Sequence, residues 1–264
     1  MTEEAPVLLR RYEEGRIALI TLNRPAVMNA MSTALGVRLA EVLDELSEDA
    51  RVRAVVVTGA GDRAFCAGAD LRERQGMTAD AWTRQHRVFE GALHRLRTLR
   101  RPLIAAVNGV AVGGGCEMAL SADVILAAES ARFGQPEVSR GIIPGCGGTQ
   151  LLPRRLPRGL ALRMLMTGEL IGAADAHRWG LVTSVHPASE LLDEAMRLAA
   201  RIAENSPAAV QQVKRSVRLG LEQPIEQAIE IELECYRRMI DHPDRHEGVR
   251  AFNEGRRPVF HDAV

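Results

Sequence analysis

One stretch limits the fold more than any other: Pro102-Leu103-Ile104-Ala105-Ala106-Val107-Asn108-Gly109-Val110-Ala111-Val112-Gly113-Gly114-Gly115-Cys116-Glu117-Met118. Its apolar run 103–107, bounded by Pro102 and Asn108-Gly109, has the pattern of a buried strand. The chain then crosses Gly113, Gly114 and Gly115 and enters an apolar, helix-like segment over 117–122. Glycines at a strand-to-helix joint let a ligand approach the backbone, because no Cβ stands in the way. The first amides of the helix lack intrahelical partners and lie at the positive end of its dipole. They can hydrogen-bond an anion or a polarised carbonyl, with the Glu117 carboxylate close by. A glycine loop that only packs tightly gives the same pattern, so this stretch alone leaves both readings open.

The flanking pattern alternates. Residues 16–22 read as a strand stopped at Asn23-Arg24-Pro25, and 32–46 as a helix with Leu35, Leu39, Val42, Leu43 and Leu46 on one face. A strand over 54–58, a helix over 78–99 and a strand over 124–128 follow. This order predicts an α/β fold with parallel strands. From Gly147 onward the pattern is increasingly helical, with one short strand over 181–185 and helices over 190–204, 207–219, 224–240 and 245–254. The expected division is a core over 1–200 and a helical region over 201–264.

Composition excludes several classes. Basic and acidic residues balance at 34 each, so no basic field argues for nucleic acid or an anionic membrane. Aromatics at 3% argue against a base-stacking surface. No run is long enough to span a membrane, and the acidic start, residues 1–6, lacks the apolar core of a signal peptide. Cys66, Cys116, Cys146 and Cys235 show no CxxC pairing, which places the chain in a reducing cytoplasm. They read as buried filler, since no motif supplies a base for a thiol nucleophile. Lys214, the only lysine, sits in a polar helical stretch, so Schiff-base chemistry is discounted. His242 and His246 read as a helix start rather than a metal pair, and no metal is expected.

Three segments carry chemistry together: Ala64-Phe65-Cys66-Ala67-Gly68-Ala69-Asp70, the glycine stretch with Glu117, and Phe133-Gly134-Gln135-Pro136-Glu137 with the glycine-rich loop 141–150 behind it. With Asn23-Arg24-Pro25, Met28-Asn29-Ala30, Thr167-Gly168, Trp179-Gly180-Leu181-Val182 and Ser206-Pro207, their order and spacing resemble the enoyl-CoA hydratase/isomerase, or crotonase, family over nearly the whole chain. The resemblance implies a crotonase-like spiral of β-β-α repeats with a C-terminal helical oligomerisation region, building a homotrimer or a dimer of trimers. It implies an oxyanion hole from the backbone N–H groups of Ala69 and Gly114. It makes Glu117 and Glu137 the catalytic pair: Glu137 delivers a proton to C2, and Glu117 orients and activates the water. Two carboxylates can do this when their proton affinities are pushed apart.

The implied substrate is an acyl-CoA thioester, with no separate cofactor. Its CoA part would meet Asn23, Arg24, Ala26, Ala67, Gly68, Asp70, Leu71, Arg72 and Gly145, with Arg24 and Arg72 as phosphate candidates. Two family lysines are absent, at Ala26 and Gly255, and Arg256 and Arg257 stand beside the second. The acyl pocket would be lined partly by 72–82, a segment whose arginines and glutamate leave its polarity open. The first expectation is hydration of a trans-2-enoyl-CoA to a 3-hydroxyacyl-CoA. The alternatives are a dehydratase or hydratase for a carnitinyl-like, branched or aromatic acyl-CoA, a double-bond isomerase, and a non-catalytic acyl-CoA or RNA binder.

Overall fold

The structure is a computed structural model that describes residues 5–261; the start of the acidic segment read for a leader, residues 1–4, lies outside them. β1 (Val7–Tyr12) pairs antiparallel with β2 (Ile17–Leu22). α1 (Thr33–Glu48) follows, with Ser32 Oγ accepting from the Leu35 N–H as its cap. Then come β3 (Ala54–Gly59), β4 (Ala64–Cys66), the single turn α2 (Leu71–Arg74) and α3 (Ala79–Thr98). The next unit is β5 (Leu103–Val107), β6 (Val110–Val112) and α4 (Gly114–Leu120). The third is β7 (Val124–Ala128), β8 (Arg132–Gly134), a 3-10 turn Pro136–Arg140, α5 (Gly148–Arg155) and α6 (Arg158–Thr167). β9 (Leu170–Gly172), α7 (Ala173–Arg178) and β10 (Ser184–His186) close the sheets. α8 (Leu191–Ala203), α9 (Pro207–Gly220), α10 (Ile225–Ile240) and α11 (Pro243–Asn253) complete the chain.

From β3 onward, each β-β-α unit adds one strand to each of two sheets. The large sheet runs β1-β2-β3-β5-β7-β10 and the small one β4-β6-β8-β9. β2, β3, β5, β7 and β10 are parallel, as are β4, β6 and β8. This is the expected crotonase-like α/β spiral. The inner strands of the large sheet, β2, β3, β5 and β7, are buried on both faces, which explains why they read as continuous apolar runs. Ala18, Ile20, Val55, Val57, Ala105 and Ile125 face the main core with α1 and α3. Ile17, Leu19, Val56, Ile104 and Leu126 face the other way, onto Leu191, Ala195, Ala199 and Ala203 of α8.

The structure departs from the sequence expectation at element ends. α4 starts at Gly114 rather than at Glu117, because Gly113 makes the turn (φ 55°, ψ −128°) and the next two glycines are already helical. β10 starts at Ser184 rather than 181, because the Leu181 and Val182 N–H groups bond back to the Ala176 carbonyl. α11 starts at Pro243 rather than 245, with His242 as the cap that accepts from the Asp244 N–H. β1, half of whose residues are Arg10, Arg11 and Tyr12, and the three-residue strands β4, β6, β8 and β9 were not anticipated; in the short strands three residues are too few for a period-two pattern. Lys214 docks α9 on the core through Asp123 (2.6 Å) and the Arg101 carbonyl (2.8 Å).

Candidate active site

A cleft of about 710 Å³ opens where the small sheet meets α2, α3 and α4. Two backbone donors face it. Met31 donates to the Gly68 carbonyl at 2.7 Å and accepts from the Asp70 N–H at 2.9 Å, so the Ala69 N–H between them turns the other way. Gly114 is the first residue of α4, and its N–H has no intrahelical partner. The turns carrying these donors touch: a Cβ built on Gly68 would sit 3.4 Å from the Gly114 nitrogen. The glycine run is required for this approach. Gly113 has a positive φ, and a Cβ on Gly115 would lie 2.0 Å from the Cys66 carbonyl oxygen.

Two carboxylates flank the donors. Glu117, on α4, is 2% exposed, and its Oε1 accepts from the Cys146 and Gly148 N–H groups, both at 2.7 Å. Burial pushes its carboxyl above the ordinary range, while the Gly148 and Cys146 donors pull it back. Glu137 lies on the 3-10 turn after β8. Burial, with the Glu117 charge adding, pushes it up to about 7. With its amide nitrogen turned toward Glu137, the fully buried Gln135 donates to both carboxylate oxygens at 3.1 and 3.2 Å. The arrangement offers two donors for a developing oxyanion, one carboxylate held by backbone, and one poised near neutrality.

Of the residues expected at the site, Ala67, Gly68, Ala69, Leu71, Gly114, Glu117, Glu137 and Gly145 line the cleft; Asn23, Arg24, Ala26, Asp70 and Arg72 do not. Asn23 reaches the segment before β1, donating to the Ala5 carbonyl at 3.2 Å. Arg24 pairs with Asp70 at 3.0 Å and donates to the Ala30 carbonyl at 2.5 Å, which clamps two loops together. Asp70 also caps α2 by accepting from the Arg72 N–H. Arg72 is exposed and Ala26 lies on an exposed turn. Arg256 holds Glu247 through two nitrogens, at 2.6 and 3.0 Å, and Glu254 through a third at 2.5 Å, so its guanidinium is engaged within the chain.

Sequence reasoning did not single out Met31, Arg74, His86, Phe89 and Gln135, which line or support the cleft. Only the general placement of 72–82 beside the acyl pocket pointed toward Arg74. The cysteines are free and buried, and burial pushes the Cys66, Cys116 and Cys146 thiols up to about 12. Such thiols stay protonated at neutral pH.

The family model for enoyl-CoA hydratase/isomerase matches residues 12–263. The chain is 39% identical to the short-chain-enoyl-CoA hydratase of Clostridium acetobutylicum, covering 93% of this chain and 94% of that one. It is 42% identical to the 2,3-dehydroadipyl-CoA hydratase of Escherichia coli, covering 94% and 96%. The crystal structure of an enoyl-CoA hydratase from Bacillus anthracis superposes with a TM-score of 0.94 at 38% identity, covering 97% of this chain and 98% of that one. With its glycine-built backbone donors, its two facing glutamates and these matches along almost its whole length, the chain belongs to the enoyl-CoA hydratase/isomerase family.

Proposed function

We propose that this protein is an enoyl-CoA hydratase, adding water reversibly to a trans-2-enoyl-CoA to give the 3-hydroxyacyl-CoA. The observation that carries the reading is the pair Glu117 and Glu137 beside two unpartnered backbone N–H groups. The thioester oxygen sits between the Ala69 and Gly114 N–H groups, which stabilise the enolate-like charge that develops there. In its carboxylate form, held by the Cys146 and Gly148 N–H groups, Glu117 takes a proton from water as the water oxygen bonds to C3. Glu137, raised to about 7 and therefore still partly protonated at neutral pH, gives a proton to C2. The pair ends with its protonation reversed, and exchange with solvent resets it. CoA contacts at Ala67, Gly68, Leu71 and Gly145 fit the cleft lining. Arg72 is the better phosphate candidate, because Arg24 is already paired with Asp70.

The reading includes an assembly and a compartment. Val213, Val217, Ile225 and Tyr236 on α9 and α10, with Leu221 in the turn between them, leave apolar surface exposed, between 56% and 81% per residue. That surface suits a second copy, as a homotrimer or a dimer of trimers built through the region 201–264. Four unpaired cysteines suit a reducing cytoplasm. No helix among the described residues is long and apolar enough to cross a membrane.

The relatives' names differ in the acyl group, so each chain's own cavity sets the substrate. The test follows the loss of crotonyl-CoA's conjugated-thioester absorbance, with longer enoyl-CoAs beside it. Wild type should bleach the band, and Glu117→Gln or Glu137→Gln, folded, should each lose about a hundredfold to ten-thousandfold in turnover. A wild type inert on every enoyl-CoA would end the hydratase reading.

A further inference from the structure

The cleft holds a buried cation that the hydration chemistry does not use. Arg74, at the end of α2, is 9% exposed and lines the cleft beside Phe89 and Cys146. Its Nε donates to Gln85 Oε1 at 2.8 Å. Gln85 is itself 4% exposed and donates to Thr33 Oγ1 at 3.0 Å. Thr33 in turn gives its hydroxyl and backbone N–H to Glu73, at 2.6 and 2.9 Å. The guanidinium lies over the Trp82 ring, 4.1 Å from its centroid, and 5.5 Å from that of Phe89. One edge is therefore tied, and one face is stacked. Nη1 and Nη2 have no hydrogen-bond or carboxylate partner among the described residues.

A buried charge without a counter-ion is costly unless something pairs with it. Glu73, the nearest acid in sequence, acts on Arg74 through its charge but gives its hydrogen bonds to Thr33, and neither Glu117 nor Glu137 bonds to Arg74. The free edge is a planar fork of N–H groups, which matches a carboxylate in two-point geometry. An apolar acyl tail would leave that fork desolvated and unpaired.

We propose that Arg74 is a substrate-specificity residue: the acyl group this cleft takes ends in a carboxylate, which pairs with the Nη1 and Nη2 fork of Arg74. The proposal rests on the acyl-CoA reading of the cleft. It adds that the substrate is the mono-thioester of an unsaturated dicarboxylic acid rather than a plain fatty enoyl-CoA. Gln85 and Thr33 are positioning residues that present the fork.

Calorimetry tests this without turnover. Adipyl-CoA is compared with hexanoyl-CoA, and glutaryl-CoA with pentanoyl-CoA, on wild type, Arg74→Met and Arg74→Lys. The wild type should bind the better carboxylate ligand about 30-fold or more tightly than its neutral match, as expected for one desolvated charge pair. In Arg74→Met that ratio should collapse toward one, and in Arg74→Lys it should fall part of the way, since the charge stays and the fork is lost. Equal or better binding of the neutral ligands by wild type overturns the proposal, as does an undiminished ratio in Arg74→Lys or Arg74→Met. The wild-type ratio and Arg74→Lys decide the matter if Arg74→Met does not fold. Hydration of hexenoyl-CoA is measured alongside. A protein that prefers adipyl-CoA yet hydrates nothing would sink the hydratase reading alone; one that hydrates hexenoyl-CoA but prefers hexanoyl-CoA would sink this one alone.

Discussion

The cleft and the α9–α10 pair break the usual partition of side chains in opposite directions. In the cleft, polar and charged groups are buried: Glu117, Gln135 and Arg74 are each 9% exposed or less. On α9, α10 and the turn between them, apolar groups are exposed, with Leu221 at 81% and Ile225 at 70%. Each arrangement is unfavourable for an isolated chain. The difference lies in the kind of partner each one suits. The cleft suits a polar ligand that fits fixed N–H groups and carboxylates, whereas the helix pair suits an apolar surface. The first is rigid, because its donors are backbone atoms on short elements packed against the core. The second needs only area and shape, so single substitutions there should be felt less.

The sharpest way to break the contrast is to disturb the rigid side. Gly115→Ala would put a Cβ 2.0 Å from the Cys66 carbonyl. Backbone must then move, which should cost about 3 kcal/mol of stability, at the upper end for overpacking. The same shift drags β4 and the Ala69 donor, so activity should fall in whatever protein stays folded. Chemical denaturation and crotonyl-CoA turnover measure the two effects, and a neutral outcome in both would mean the cleft is softer than its geometry.

Leu221→Glu tests the apolar side. Burying a leucine in a contact contributes about 2 kcal/mol, and placing a charge there adds a desolvation penalty. Light scattering should show wild type as a multiple of the 28.8 kDa chain and the variant shifted toward the single chain. A wild type that is already monomeric at micromolar concentration would remove the assembly from the proposal.

The smallest effect belongs to Glu137 and is read through stability. Its carboxyl is raised from an ordinary 4.5 to about 7 in the folded chain. Between those values the native state binds more protons than the unfolded state, so stability falls as pH rises through that window. Above it, the cost of the ionised, partly buried acid is fully present. Glu137→Gln should therefore raise the melting temperature by a few degrees at about pH 8, and the gain should vanish below about pH 4.5. A gain of equal size at both ends would trace it to packing instead of charge.

Much of this architecture was legible beforehand, and the exceptions have common causes. Helices α1 and α3 were visible because their caps, Ser32 and Thr78, and their apolar faces repeat within a few residues. The strands β2, β3, β5 and β7 were visible as apolar runs, since both faces of their sheet are covered. The small sheet was not, because its strands are three residues long and their pairing is settled by distant segments. At the site, the glycines and glutamates could be named from their order. The role of Arg24 was harder to see: in the sequence it reads as a free cation for phosphate, and its partner Asp70 lies 46 residues away.

By itself, the sequence determined where the chain turns, which faces are apolar, and that Glu117 follows a run of glycines; Glu137 as its partner came only from the family resemblance. The properties read from the residues are local: caps, periodicity and missing Cβ atoms act over a few residues. Only the tertiary structure decided which carboxylate is held and which is poised. The donors to Glu117 come from residues 29 and 31 positions further on, while Glu137 is governed by burial and by the neighbouring Glu117 charge. Tertiary packing likewise placed Arg74 at the cleft wall with its fork open. Proton affinity and unpaired charge depend on surroundings assembled from distant parts of the chain, and folding brings those parts together.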